Sequence, residues 1–189
     1  MNYLKTLLPI KTERLLLRLL EPGESGLLIT YLEENREHLA PWEPTRTDKY
    51  YTTDFCELEI KKNQTGYFQG QSLKLAAFFK ELPEGPIVCV CNFTNIIHGV
   101  FKACYLGYSI HHKYEGKGLM YEALDGAIHF VFEKLKLHRI MANYMARNKR
   151  SARLLQRLGF EREGYARDYL QIAGKWEDHI MTAKICEKG

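Results

Sequence analysis

The sequence predicts an α+β (mixed α/β) fold: a central, mostly antiparallel sheet of about seven strands with about four flanking helices. Two observations carry this. Three strand-like runs follow one another between residues 72 and 110 with only short connectors, which suits hairpins and argues against a doubly wound parallel sheet. Elsewhere, apolar residues recur at helical spacing between further strand-like runs, so helices and strands mix along one chain.

The elements follow in order. Thr12 to Leu20, "TERLLLRLL", is an apolar run and a first strand, broken by Pro22 and Gly23. Leu28, Ile29, Leu32, Arg36 and Leu39 then fall at helical spacing from Ser25 onward. Pro41 and Pro44 make "APWEPTRTD" a loop, and Asp48 is placed to cap a second helix over Tyr50 to Lys62, ended by "NQTG". "SLKLAAFFKE" and "PIVCVCNFTNII" are strands joined by "LPEGP", and "FKACYLGYSI" is a third. A Gly-Lys-Gly turn leads into a helix reaching Lys136, and His138 to Met145 is a strand. Asn148 caps a short helix over Lys149 to Leu158, which Gly159 ends. The tail reads as two strands joined around Gly174.

The 189 residues suit one domain spanning 1–189. No stretch approaches the apolar length of a membrane span, and the N-terminal run lacks the pattern of a secretory leader. The five cysteines are odd in number and form no Cys-x-x-Cys pair. They read as reduced, mostly buried small hydrophobes of a cytoplasmic protein, with Cys89 and Cys91 pointing to one face of a strand. The net charge of +4 suits an anionic ligand. With no block of five like charges and no RNA-binding motif, direct sequence-specific nucleic-acid binding is not expected.

The stretch "HHKYEGKGLM", His111 to Met120, is the unusual one. The helix after it is amphipathic: Met120, Leu124, Ile128, Val131 and Leu135 form one stripe, with Glu122, Asp125, His129 and Lys136 away from it. The first four N–H groups of a helix lack internal partners, and its N-terminus carries about half a positive charge. Helices usually cap these groups with Ser, Thr, Asp or Asn. Here Glu-Gly-Lys-Gly leads in, leaving bare, approachable amides with Lys117 as an added cation. Together they read as a cradle for a phosphate or diphosphate. Taken alone, the two glycines fit a plain turn better than a cradle, and neither a dinucleotide-binding nor a P-loop pattern is present.

These residues resemble the GNAT family of acetyl-CoA-dependent N-acetyltransferases. That family's diphosphate loop, Gln/Arg-x-x-Gly-x-Gly/Ala, would here be Glu115-Gly116-Lys117-Gly118-Leu119-Met120. A second element, Asn-x-x-Ser opening a helix that ends in Leu-Gly-Phe, would be Asn148 to Ser151 and Leu158-Gly159-Phe160. Within the family, "TERLLLR" and the run from His138 to Ala183 are similar to RimJ-type ribosomal-protein alanine N-acetyltransferases. Glu115 departs from the usual Gln or Arg, and Met120 from the usual small residue. The expectation is that the Glu115 side chain points away from the phosphates.

The resemblance implies a sheet splayed in its middle and direct attack of an amine on acetyl-CoA, with no covalent enzyme intermediate. It implies a protein N-terminus as acceptor, alanine of a ribosomal protein first, with association to the ribosome. A small-molecule amine or antibiotic, or a non-catalytic acetyl-CoA-binding ribosome-assembly module, are the alternatives. Coenzyme contacts are implied for Ser109, Ile110, Gly116, Lys117, Gly118, Leu119, Met120, Tyr121 and Asn148. The strand ending at Ile110 would part from that of His138 to Met145, and an N–H near Ile110 would polarise the thioester carbonyl. An α-amino group titrates at about 7.7–8.0, so a modest base suffices; Asp168 is the first candidate, Glu13 and Asp178 the weaker ones. Many family members use a tyrosine acid where this chain has Leu155, which leaves the Ser151 hydroxyl for that role.

Other features read as ordinary. His111 and His112 lack companion ligands at metal spacing, so no metal is expected. His138, His179 and the pair His129/Glu133 read as surface or sheet-edge residues. Arg150, Arg153 and Arg157 share a helix face that either is solvated or attracts phosphate. Trp42, Tyr50 and Tyr51 either line a peptide entrance or pack.

Overall fold

The computed structural model describes residues 7–187. Nine strands form one sheet among these residues: β1 (Ile10–Lys11), β2 (Leu15–Arg18), β3 (Leu73–Phe79), β4 (Cys89–Ile97), β5 (Ala103–Ile110), β6 (Arg139–Met141), β7 (Tyr144–Met145), β8 (Glu161–Ile172) and β9 (Lys175–Ile185). The α-helices are α1 (Ser25–Glu34), α2 (Arg36–Leu39), α3 (Thr53–Phe68), α4 (Leu119–Glu133) and α5 (Lys149–Arg157). The strand order is β1-β2-β3-β4-β5-β6-β9-β7, with β8 also paired to β9. Every pairing is antiparallel except β5 with β6. The mixed, mostly antiparallel architecture is the one the sequence predicts.

Both faces of the sheet are covered, as the two-residue alternation of β3 shows. Leu73, Leu75 and Ala77 join the main core with Cys89, Cys91 and the apolar stripe of α4. Ala76 and Phe78 turn to a second cluster with Tyr31, Leu39 and Ile87. Cys89 and Cys91 thus share a face, and Cys56, Cys89, Cys91 and Cys104 are buried free thiols.

Several boundaries differ from the sequence reading for local reasons. The first helix breaks at Asn35, whose buried side chain is claimed by another element, and its inward residues are Ser25 and Tyr31 rather than Leu28 and Ile29. Thr52, not Asp48, caps α3, its hydroxyl accepting from the Phe55 N–H at 3.4 Å; Asp48 opens a short 3-10 turn instead. Helix α3 runs on through "NQTG" to Phe68. Gly66 sits inside it because a Cβ there would lie 2.3 Å from the Ser72 Oγ, so close packing and not a turn selects glycine. The strand foreseen over His138 to Met145 divides in two. β6 lies beside β5, whereas β7 pairs only with β9.

That division makes the site. β5 and β6 are paired from Ala103 to Tyr105 and then part. On the β6 side, the Lys102 carbonyl accepts from the His138 and Arg139 N–H groups. On the β4 side, the His111 N–H donates to the Val88 carbonyl. Backbone polar groups alternate sides along a strand, so the N–H groups of Leu106, Tyr108 and Ile110 face the gap.

Candidate active site

A cleft of about 1110 Å³ opens where the strands part. Its walls are β5 from Leu106 to Ile110, β7, the loop before α4, the first turns of α4 and α5, and Ile172 and His179 of the β8–β9 hairpin.

The loop is built by backbone geometry. Gly116 and Gly118 both have φ near +75°, the left-handed region that L side chains rarely adopt. Gly118 is the N-cap of α4, and no side chain caps that helix. The amides of its first turn are therefore left for a ligand. The loop hangs from α1 and the residue after it. Asn35 is fully buried; its Oδ1 accepts the His112 N–H at 2.8 Å and its Nδ2 donates to the Tyr31 carbonyl at 2.7 Å. His111 is buried beside it, and its Nε2 lies 2.9 Å from Glu34 Oε2. Burial lowers the His111 pKa against the opposing pull of Glu34. Its Nδ1 accepts from the Lys113 N–H at 3.3 Å, so the ring proton sits on Nε2 and donates to Glu34.

A second clamp comes from the β1–β2 turn. Glu122, in the first turn of α4, accepts from the Thr12 hydroxyl, the Arg14 N–H and Arg14 Nε, each at 2.6 Å. Arg14 Nη1 in turn donates to the Lys117 carbonyl at 3.1 Å. A guanidinium cation is thereby fixed beside the loop. Burial works to raise the Glu122 pKa, but the hydrogen bonds from Thr12 and Arg14 outweigh it, and the pKa lies below the usual carboxylate value. A lowered folded-state pKa gives stability that is complete above the unfolded value of about 4.3 and is lost as the pH falls through the folded value. Glu122→Gln is thus expected to melt below wild type at neutral pH, with the gap closing below about pH 4. Melting curves across pH check this; a gap that stays constant would contradict it.

The sequence-derived candidates divide. Ser109, Ile110, Gly116, Gly118, Leu119, Met120, Tyr121, Asn148 and Ser151 all line the cleft. Lys117 and Asp168 do not. Lys117 Nζ donates back to the Lys113 carbonyl at 3.0 Å and lies 5.5 Å from the centre of the Tyr114 ring. Asp168 is exposed on an irregular stretch of β8, with φ +46° and its N–H donated to Asp178 Oδ1 at 2.9 Å. Asp178 is itself taken up by the Tyr165 hydroxyl, whose hydrogen bond lowers its pKa. Glu115 lines the cleft, and its carboxylate is paired with Arg150 and His38.

Asn148 spends its side-chain oxygen on the Ser151 N–H at 3.0 Å, capping α5, which leaves its NH2 for a ligand. Leu155 is buried in the core. The Ser151 hydroxyl meets that of Tyr108 at 2.6 Å across the cleft wall. Burial raises the Tyr108 pKa to about 12 against the lowering effect of the Ser151 hydrogen bond, so the phenol stays protonated. Nothing local in the sequence marks Tyr108, because no short window shows that a β5 side chain reaches α5. Arg150, Arg153 and Arg157 all line the cleft, and Arg157 lies 4.6 Å over the Tyr121 ring. Trp42 lines it too, with Arg147 stacked 4.9 Å from its ring centre, whereas Tyr50 and Tyr51 border a separate hollow. His179, read as a sheet-edge residue, is instead buried and lines the cleft. No cluster of metal-ligating side chains occurs among the described residues.

A parted sheet, an uncapped helix beside the gap and an Asn-capped second helix are now in place. The model of the acetyltransferase (GNAT) domain matches residues 14–161. The chain belongs to the GNAT acetyltransferase family. It is 45% identical over 174 residues to the [ribosomal protein uS5]-alanine N-acetyltransferase of Escherichia coli (strain K12), covering 92% of this chain and 89% of that one. The crystal structure of the ribosomal-protein-S5-alanine acetyltransferase from Vibrio fischeri superposes with a TM-score of 0.90 at 35% identity, over 96% and 98% of the two chains. Mycobacterium smegmatis RimJ, solved in complex with CoA-disulfide, gives a TM-score of 0.85 at 24% identity, over 92% of this chain and 83% of that one. At that identity the last likeness speaks for the fold. This GNAT protein is an N-acetyltransferase of RimJ-like type.

Proposed function

We propose that this GNAT enzyme transfers the acetyl group of acetyl-CoA to the N-terminal α-amino group of a protein, with the alanine terminus of a ribosomal protein as its acceptor. The 45% identity along nearly the whole of the E. coli uS5-alanine enzyme is the observation that carries this reading. In it the enzyme works in the cytoplasm, at or near the ribosome, and no metal takes part.

The chain's own groups fit that reaction. The first-turn amides of α4 receive the diphosphate, with the fixed Arg14 cation alongside. Arg153 and Arg157 add positive charge to the same wall. The Asn148 NH2 and the gap-facing N–H groups of β5 hold the pantetheine arm and the thioester carbonyl in the parted sheet. Acceptor amine and donor thioester meet there directly. The thiolate leaves toward Ser151, whose hydroxyl is backed by the protonated Tyr108. An ordinary thiol titrates near 8.5, so this donor accelerates the reaction modestly.

The test is acetyl transfer from acetyl-CoA to peptides beginning with Ala, Ser or Met, read by mass. Transfer to the Ala peptide's α-amine is expected; transfer confined to small amines would overturn the reading. Under the same assay, Ser151→Ala is expected to lower turnover about 10- to 100-fold with acetyl-CoA affinity nearly unchanged. An unaltered rate would remove Ser151 from the chemistry.

A further inference from the structure

Resting on the amine-acetylation reading above, we propose that His179 is the general base that accepts the proton of the attacking amine.

His179 is 4% exposed, yet it lines the reaction cleft. It sits in β9, paired with Met145 of β7 on one side and Ala166 of β8 on the other, so its backbone is held by the sheet on both flanks. Its Nδ1 lies 2.9 Å from the Glu177 carbonyl oxygen. A carbonyl only accepts, so Nδ1 carries a proton and donates it. In the neutral ring that leaves Nε2 as a lone pair, and Nε2 has no partner among the described residues. A buried imidazole with its tautomer fixed from behind and its basic nitrogen unclaimed beside a cleft is the arrangement a proton acceptor needs. The Tyr169 ring, 5.3 Å away, braces the imidazole. Asn143, which also lines the cleft, donates to the Tyr169 hydroxyl at 3.3 Å.

The position also suits the direction of attack. His179 is carried by the β7–β9 side of the gap, and the Tyr108–Ser151 hydroxyl pair by the β5–α5 side. Proton removal from nitrogen and proton delivery to sulfur thereby fall to different walls. In the step, the amine nitrogen forms a bond to the thioester carbonyl carbon and one of its protons passes to Nε2, giving an imidazolium that still donates from Nδ1. The carbon–sulfur bond breaks with its electron pair on sulfur, which takes a proton from the Ser151 hydroxyl, and Ser151 is reprotonated from solvent. Nε2 then releases its proton to solvent. The sum is a neutral amine and a thioester giving an amide and a thiol, the proton released from Nε2 being matched by the one Ser151 takes from solvent.

His179→Gln keeps a polar side chain of similar reach but removes the base. It is expected to lower turnover at saturating substrates by about 100-fold, with acetyl-CoA affinity by calorimetry within about twofold of wild type. In His179→Ala, free imidazole is expected to restore turnover in proportion to its concentration. The comparison uses whichever acceptor the wild type acetylates best, an Ala-initiated peptide or a simple primary amine. Failure of the peptide reading therefore leaves this measurement intact. Turnover of His179→Gln within about twofold of wild type overturns the proposal. So does a loss matched by lost acetyl-CoA affinity, and so does a loss confined to Asp168→Asn, which returns the role to β8.

Discussion

Gly118→Asp is expected to bind acetyl-CoA at least about 100-fold more weakly than wild type. Three effects combine. The residue sits at φ +75°, where an L side chain costs about 1–2 kcal/mol. Its Cβ would point toward Arg14, 3.6 Å from Nη2, so an added carboxylate would pair with the cation fixed beside the loop. It would also place negative charge at the positive end of α4, where the diphosphate belongs. At about 1.4 kcal/mol per tenfold, a 100-fold loss is about 2.8 kcal/mol, which strain and charge together supply. Gly118→Ala carries the strain alone and is expected to lose about tenfold. Titration calorimetry distinguishes the two, and wild-type affinity in the aspartate variant would refute the cradle.

The second large effect lies away from the cleft. Asn35→Leu is expected to destabilise the protein by about 2–3 kcal/mol and to weaken acetyl-CoA binding as well. Leucine has the right size for the buried site but leaves the His112 N–H without its acceptor. An unsatisfied donor in such a place costs about 1–3 kcal/mol, and the Nδ2 hydrogen bond to Tyr31 is lost too. In a domain of this size, 1 kcal/mol corresponds to about 2–4 °C, so a fall of about 5–10 °C in Tm is the expected reading. The binding loss follows because residues 111–118 take their position from that carboxamide. A lower Tm with unaltered coenzyme affinity would show that the loop holds its shape without it.

What could be read from the sequence follows a physical line. Features set by the chain's own neighbours were legible. The uncapped start of α4 at Gly118 and the Asn148 cap depend on residues within a single turn, and Gly116, Gly118 and Asn148 line the cleft while Lys117 does not. Features that depend on contacts between distant residues were not. Glu115 reads as a misplaced charge until Arg150 and His38 are seen on either side of it. Arg14 reads as a strand residue until Glu122, 108 positions later, turns it onto the loop. Tyr108 and Ser151 are 43 positions apart and meet only through the parted sheet. His179 carries no local mark at all. Whether a strand residue faces a cleft or solvent is fixed by register, and the bulged pairing of β8 with β9 is not written in any short window. Gly66 shows the converse: a residue that usually signals a turn serves helix packing because Ser72 occupies its missing side chain's space.

A crystal structure with acetyl-CoA bound tests the account most directly. The diphosphate oxygens are expected within about 2.7–3.2 Å of the backbone nitrogens in the first turn of α4, from Gly118 to Tyr121, with the Arg14 guanidinium alongside. A diphosphate seated on side chains elsewhere, with those amides facing water, would contradict it.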